Sequence, residues 1–411
     1  MTRATVLYIT YDGLLEPLGQ SQVLAYLEQL AADRRIHVLS FEKAADWADR
    51  GARAKLADRL ERAGIDWSPL RYHKAPTAPA TAYDIACGVA LGLWLTVTRG
   101  VRIIHARSYV PAAMALVIKR LTGARFVFDM RGFWADERVD GGLWGRHGRL
   151  YRLTKALETR FLRAADHVVT LTEASKRVLA DFNGVKGRNL PLSVIPTCAD
   201  LERFALKVAE ARPFTFGYVG SVGTWYLIDE MLQFFMAISK RRPDARMLVV
   251  NRNDHVQIRE AAARSGIDLD RLELIAARHD EVPALIGRMD AAGALIQPCF
   301  SKIASAPTKL AEYLGCGVPC LGNVGVGDME EILEGERVGV ALRGFSPAEL
   351  EEAADRLLTL CADRETPARC RAAAVRLFSL ESGVAEYDAV YRRLLGGNRT
   401  TPVKTSMPAP T

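Results

Sequence analysis

Thr5-Val6-Leu7-Tyr8-Ile9-Thr10, then Tyr11-Asp12-Gly13-Leu14-Leu15-Glu16-Pro17-Leu18-Gly19, then Gln20 to Ala32: the reading of these three pieces decides the fold class. The first is an apolar, partly β-branched run of strand length. The second is a loop punctuated by Gly and Pro. The third carries Val23, Leu24, Leu27 and Leu30 at helical spacing. Strand, loop and helix in this order make the unit from which parallel sheets are wound, and the chain repeats it. Further strands are expected at Ile36–Phe41, Ile103–Ala106, Arg125–Asp129, His167–Leu171 and Ser193–Ile195. After the short breaker Ala211-Arg212-Pro213 the series restarts with Phe214–Val219, Arg246–Asn251, Leu272–Ile275, Ala292–Gln297 and Pro319–Gly322. The expected class is α/β, with two Rossmann-like parallel-sheet domains facing across a cleft. The first spans residues 1–205 and the second 213–376. A final amphipathic helix covers 377–396, and the Thr-, Pro- and Ser-rich stretch 397–411 is expected to be disordered.

The composition agrees. The 411 residues are 49% hydrophobic and 25% charged, which excludes collagenous, disordered and disulfide-scaffold classes. Cysteines at 87, 198, 299, 316, 320, 361 and 370 are odd in number and scattered, so they read as reduced thiols of a cytoplasmic protein. Cys316 and Cys320 lack the partner pair that a zinc site needs, and no metal is expected. The N-terminus runs straight into a strand, so no secretory signal is expected. The longest charge-free apolar run, 85–98, is too short to span a bilayer and reads as a buried helix. The net charge of +7 is uneven, with 30 Lys and Arg against 21 Asp and Glu over residues 1–205 but 25 against 27 beyond. The first half therefore carries the positive field, which suits an acidic or membrane-bound partner.

Ligands of wound sheets lie at the carboxyl ends of the strands, so the loops there carry the candidates. Asp12–Ser21, with Gly19 and Gln20, follows the first strand, and its amides can face an anion or a sugar hydroxyl. It is not G-x-G-x-x-G, so no dinucleotide cofactor is expected. Asp129-Met130-Arg131-Gly132-Phe133-Trp134 follows another strand and sets a carboxylate, a guanidinium and aromatics together, as phosphate or sugar recognition requires. His105, also at a strand end, belongs beside Asp129 and Arg131 as a catalytic candidate. Gly220, Ser221 and Gly223 open a helix with amides for a phosphate, without the Lys of a P-loop. Most specific is Ser305 to Pro319. Pro307 and Thr308 open a helix, Lys309 sits in its first turn, and Glu312 lies on the same face. A cation there is disfavoured by the helix dipole unless it meets an anion, so Lys309 reads as a diphosphate ligand and Glu312 as an acceptor for ribose hydroxyls. The plain alternatives are a simple βα turn, an Asp129–Arg131 strand cap and a surface Lys–Glu pair.

In this order the motifs resemble a family 4 glycosyltransferase of the GT-B fold, over about residues 5–395. Thr170-Leu171-Thr172-Glu173, Ile195-Pro196-Thr197-Cys198-Ala199-Asp200 with Phe204, and Tyr218-Val219-Gly220-Ser221 add to the likeness. The resemblance implies a nucleotide-sugar donor on the second domain, a carbohydrate or lipid-linked acceptor on the first, no metal, and transfer with retention. It also implies that the last helix packs back on the first domain. Lys309 and the Gly220–Gly223 loop would meet the leaving diphosphate, and Glu312 the ribose. The family's E-x7-E motif would place its first Glu at Ala304, its domain-two cations near Ser221 and Tyr226, and its strand-end His at Arg131. Arg252 and His279, at later strand ends, are then candidates for the phosphate and the base. A nucleotide-sugar epimerase or hydrolase, with Asp129 and Glu137 as acid and base, and a non-catalytic sugar binder stay open. Residues 141–163 set Arg146, Arg149, Arg152, Lys155, Arg160 and Arg163 against the single acid Glu158, amid apolar residues. Such a helix can rest on an anionic membrane surface, which leaves a peripheral position at its inner face open. Nucleic acid is not an expected partner, because no aromatics are interleaved with the basic run.

Overall fold

The structure, a computed structural model, describes residues 4–182, 184–206, 212–278 and 280–396. His279 and the stretch 397–411 lie outside the described residues. Two parallel sheets organise the rest. The first contains β1 (Thr5–Thr10), β2 (Arg35–Glu42), β3 (Ile65–Arg71), β4 (Val101–Arg107), β5 (Arg125–Asp129), β6 (His167–Thr170) and β7 (Leu192–Val194), in the order β3-β2-β1-β4-β5-β6-β7. The second contains β8 (Thr215–Val219), β9 (Arg246–Val250), β10 (Leu272–Ile275), β11 (Ala291–Gly293), β12 (Cys320–Asn323) and β13 (Gly339–Leu342), in the order β10-β9-β8-β11-β12-β13. Every pairing is parallel. In each sheet the winding direction reverses beside the first strand, between β1 and β4 and between β8 and β11. A crevice opens at such a point.

β3 and β13 were not expected from the sequence. Both are edge strands, and β3 carries Pro69, whose missing N–H only an edge tolerates. The expected helix 20–32 is also not uniform, because a π-helical turn over Gln20–Leu24 precedes the α-helix Ala25–Leu30. The run 85–98 needs a correction. Its helix starts at Thr77 and spans 22 residues. It is the one helix among the described residues long and apolar enough to cross a membrane, yet only 33% of its most apolar stretch is buried.

The chain crosses between the sheets twice, and the crossings are hydrogen-bonded side by side. The amide of Ala199 donates to the Phe378 carbonyl (2.9 Å), and the amide of Leu380 to the Ala199 carbonyl (3.1 Å). The last helix, Leu380–Leu394, then packs on the first sheet. Leu380, Tyr387, Val390 and Tyr391 are buried in one cluster with Val6, Tyr8, Tyr26 and Ile36. Arg34 pairs with Asp388 beneath them.

Candidate functional site

On the second sheet, β8 ends at Val219 and the backbone turns at Gly220, whose φ is 136°. That φ favours glycine, and without a Cβ the turn leaves room for Lys309 Nζ, which a Cβ would meet at 2.8 Å. Lys309 occupies the first turn of the helix Thr308–Gly315 and is buried. Its ammonium donates to Tyr218 Oη (3.2 Å) and lies over the rings of Tyr218 (4.2 Å) and Tyr226 (4.1 Å). No carboxylate pairs with it within ion-pair distance among the described residues. Burial pulls its pKa down to about 7, against the pull of Glu312. Glu312, one turn on and also buried, is pushed up to about 7 by burial, with Lys309 and Arg203 opposing. A buried cation with no carboxylate within ion-pair distance among the described residues, beside a glycine turn and a helix start, can receive an anion.

Its support is local. Tyr218 Oη donates to the Ser221 carbonyl. Tyr313, four residues beyond Lys309, accepts from the Val219 amide at 2.8 Å. Buried Asn251 donates to the Gly220 carbonyl at 2.9 Å and accepts from the amides of Asn253 and Asp254. Ser221 and Gly223 are exposed on the turn, Thr308 is half-buried at the helix start, and Arg252 stands exposed beside Asn251.

The first sheet presents a chain of charges at the facing edge. Arg107, at the end of β4, reaches Asp12 (3.3 Å) and Asp129 (3.8 Å), and Arg131 reaches Asp129 (3.9 Å). Asp129 is fully buried and accepts from Tyr387 of the last helix at 3.1 Å. Burial opposes its charge, but Arg131, His105 and Arg107 outweigh burial and hold its pKa below the ordinary carboxylate value. Ser108 and Arg131 both take positive φ, 71° and 58°, just past adjacent strands. Such backbone costs about 1–3 kcal/mol per residue and is held by surrounding contacts, here including the Ser108 amide on the Asp129 carbonyl (2.7 Å). Trp134 begins the next helix, half-buried between Tyr109 and Trp144.

Several expectations change here. His105 and Asp129 do not open onto the cleft. His105 is 1% exposed, with Nδ1 on Tyr391 Oη (2.7 Å) and Nε2 toward Asp129 (3.5 Å), and burial keeps its pKa below the usual value. Both lie buried beneath Arg107 and Arg131. Gly19 is a packing glycine, since a Cβ would meet the Gly13 carbonyl oxygen at 2.0 Å. Gln20 bonds the Leu14 carbonyl and Arg59. The loop amides meant for a ligand are occupied by the protein's own acids, Gly13 by Glu16 and Leu14 and Leu15 by Glu42. Glu137 pairs with Lys302 across the cleft (2.9 Å), so no contact joins it to Asp129 and the acid/base pair is not assembled. Ala304 is fully buried in the first domain's own cluster with Phe133 and Met130.

The sequence reading missed Asn251, Tyr218 and a pair at the end of β3. There His73 Nδ1 lies 2.6 Å from buried Asp84, which also accepts from Tyr11 Oη (2.7 Å). The signal for that pair was an Asp inside an otherwise charge-free helix.

The domains meet through Asp328, which accepts from the amides of Glu173 (2.7 Å) and Ala174 (2.8 Å), and through Asp140 on the Ser301 amide (2.9 Å). Phe133 stacks on Phe300 at 5.3 Å. A cavity of about 470 Å³ lies on the hinge side, walled by Leu171, Ile195, Ala306, Leu310 and Phe378. Lys309 and Glu312 do not line it, so it is not the space in front of the cation.

Residues 19–203 match the sequence profile of Glycosyltransferase Family 4. That match covers most of the first domain. Among solved structures the chain is similar to a glycosyltransferase from Rickettsia africae ESF-5 (TM-score 0.72, 14% identity, covering 96% of this chain and 99% of that one). It is similar also to sucrose-phosphate synthase from Thermosynechococcus elongatus (0.71, 13%, 96% and 100%). A third likeness is to HepE of Anabaena in complex with UDP-glucose (0.65, 14%, 95% and 99%). At these identities the likeness establishes the fold, which is GT-B. No curated protein sequence matches the chain.

Proposed function

We propose that the protein is a retaining glycosyltransferase. It takes a sugar from a nucleotide-sugar donor seated on the second domain and passes it to a carbohydrate or lipid-linked acceptor on the first, in polysaccharide, glycolipid or cell-envelope synthesis. The observation that carries this reading is Lys309, a buried ammonium with aromatic neighbours and no carboxylate within ion-pair distance among the described residues, set against the Gly220 turn. A donor diphosphate supplies the missing anion. As the glycosidic bond breaks, negative charge grows on that diphosphate, and the fixed ammonium and loop amides stabilise it without rearranging. Glu312 accepts from the ribose hydroxyls, and Arg252 and His279 serve the phosphate and the base. The positive charge the leaving group needs thus comes from the protein's own side chains, with no resident metal assigned to the task. The Asp12–Arg107–Asp129–Arg131 chain forms the acceptor side, where Arg131 stands in the place of the family's strand-end His. The HepE complex with UDP-glucose supports a donor of this class.

A thermal-shift screen with UDP-, GDP-, ADP- and dTDP-sugars tests the proposal, since a ligand of the native state must stabilise it. One of them is expected to raise the melting temperature of the wild type and not of Lys309→Ala or Glu312→Ala. Full transfer activity in both variants would sink the reading.

A further inference from the structure

The helices Thr77–Thr98, Tyr109–Thr122 and Arg149–Ala164 pack together on one face of the first sheet, around a cluster holding Leu95, Met114 and Phe161. Their outer surface is unlike the rest of the molecule. The three helices contain only two acids, Asp84 and Glu158, and both are buried. Exposed instead are Tyr83, Trp94 (56%), Val97 (70%), Leu121 (64%), Leu150 and Leu153. Arg120, Arg149, Arg152 and Arg160 on these helices, with Arg99 just past the first, are exposed and make no ion pair among the described residues. On the second domain several surface arginines are matched, Arg241 with Asp355, Arg343 with Glu330, Arg356 with Glu334 and Arg376 with Glu336, although others such as Arg246 and Arg259 make no ion pair among the described residues.

The Thr77–Thr98 helix cannot leave the domain to span a bilayer. Asp84 holds Tyr11 and His73, and Gly88 and Gly92 press the helix onto Met114 and Ile118, where a Cβ would stand 2.5 Å and 2.7 Å away. Its apolar outer stripe therefore lies flat against whatever covers it. Water solvates such a stripe poorly, and the flanking guanidiniums have no carboxylate partners among the described residues. An anionic bilayer supplies both complements, an acyl boundary for the rings and aliphatic side chains and phosphates for the arginines.

We propose that this three-helix face docks the protein on the surface of an anionic lipid bilayer, with Trp94 and Val97 at its centre. The centre of contact thus moves from residues 141–163, where the sequence placed it, to the Thr77–Thr98 helix. The proposal does not rest on the donor reading. It is tested by flotation of the full chain with vesicles of phosphatidylcholine alone or enriched in phosphatidylglycerol. Flotation with the anionic vesicles, weakened by salt, is expected. The variants Trp94→Glu/Val97→Glu and Arg149→Glu/Arg152→Glu/Arg160→Glu are each expected to lower the bound fraction about tenfold or more. Their melting temperatures and their thermal shift with nucleotide sugars should match wild type, which separates lost docking from lost folding and from failure of the donor reading. Wild-type protein that ignores anionic vesicles, or variants that float as well as wild type, would overturn the proposal. So would a lipid-free dimer that Trp94→Glu dissolves, because the face would then belong to a second copy. If a variant misfolds, the Trp94→Gln and Arg152→Gln single substitutions replace it, and undiminished flotation of both would be equally fatal.

Discussion

The two facing sheet edges solve opposite problems. On the first domain, carboxylates and guanidiniums pair with one another, from Asp12 through Arg107 and Asp129 to Arg131, and the last helix seals the chain from below. On the second, glycine, tyrosine and one helix start surround Lys309, which has no carboxylate within ion-pair distance among the described residues. A saturated network gives rigidity and resists change, while an unsaturated cation gives affinity and tolerates loss. The same kind of side chain, a buried cation, is thus paired with carboxylates on one edge and set among tyrosines on the other.

Substitution should separate the two roles. Asp129→Ala leaves Arg107 and Arg131 facing no buried carboxylate and is expected to cost about 3–5 kcal/mol of stability, read by urea unfolding. A loss under about 1 kcal/mol would break the comparison. Lys309→Met keeps the volume and removes an unpaired buried charge, so unfolding should be unchanged or slightly harder. Nucleotide-diphosphate affinity should fall about 10- to 100-fold, the range of one charge-assisted hydrogen bond, as calorimetry can measure.

The lowered pKa of Lys309 adds a pH test. Above about pH 7 Lys309 becomes a neutral amine, so a diphosphate that pairs with its ammonium would have to bring a proton to it on binding. Affinity should then weaken by up to about tenfold per pH unit above that value, and the dependence should flatten in Lys309→Met. Smallest is Asp328→Ala, which uncaps the Glu173 helix from across the cleft and should cost about 1 kcal/mol, with a larger radius of gyration in solution scattering.

The strand–loop–helix repeat made both sheets readable, because strands buried on both faces are written as continuous apolar runs such as Thr5–Thr10 and Arg246–Val250. Of the strands that were not readable, β3 is an edge strand buried only at its first residue, while β13 is fully buried but only four residues long, too short a run to stand out. At the site, Lys309 and Glu312 could be found because a cation in the first turn of a helix contradicts the dipole. The loop at Asp12–Gln20 misled, because its amides are claimed by Glu42, 28 residues away from Leu14, and no local pattern announces that. His105 misled for a related reason. Its partners Tyr387 and Tyr391 come from the far end of the chain.

That last helix has a consequence for how the molecule is made. Residues 380–394 complete the core beneath β1 and β4, so the first domain, although translated first, lacks Tyr387 and Tyr391 until nearly the whole chain has emerged from the ribosome. Asp129 and His105 must wait for their hydroxyl partners through the synthesis of the entire second domain. The growing chain is therefore expected to expose a basic, incompletely sealed sheet for many seconds and to depend on holdase chaperones during that interval.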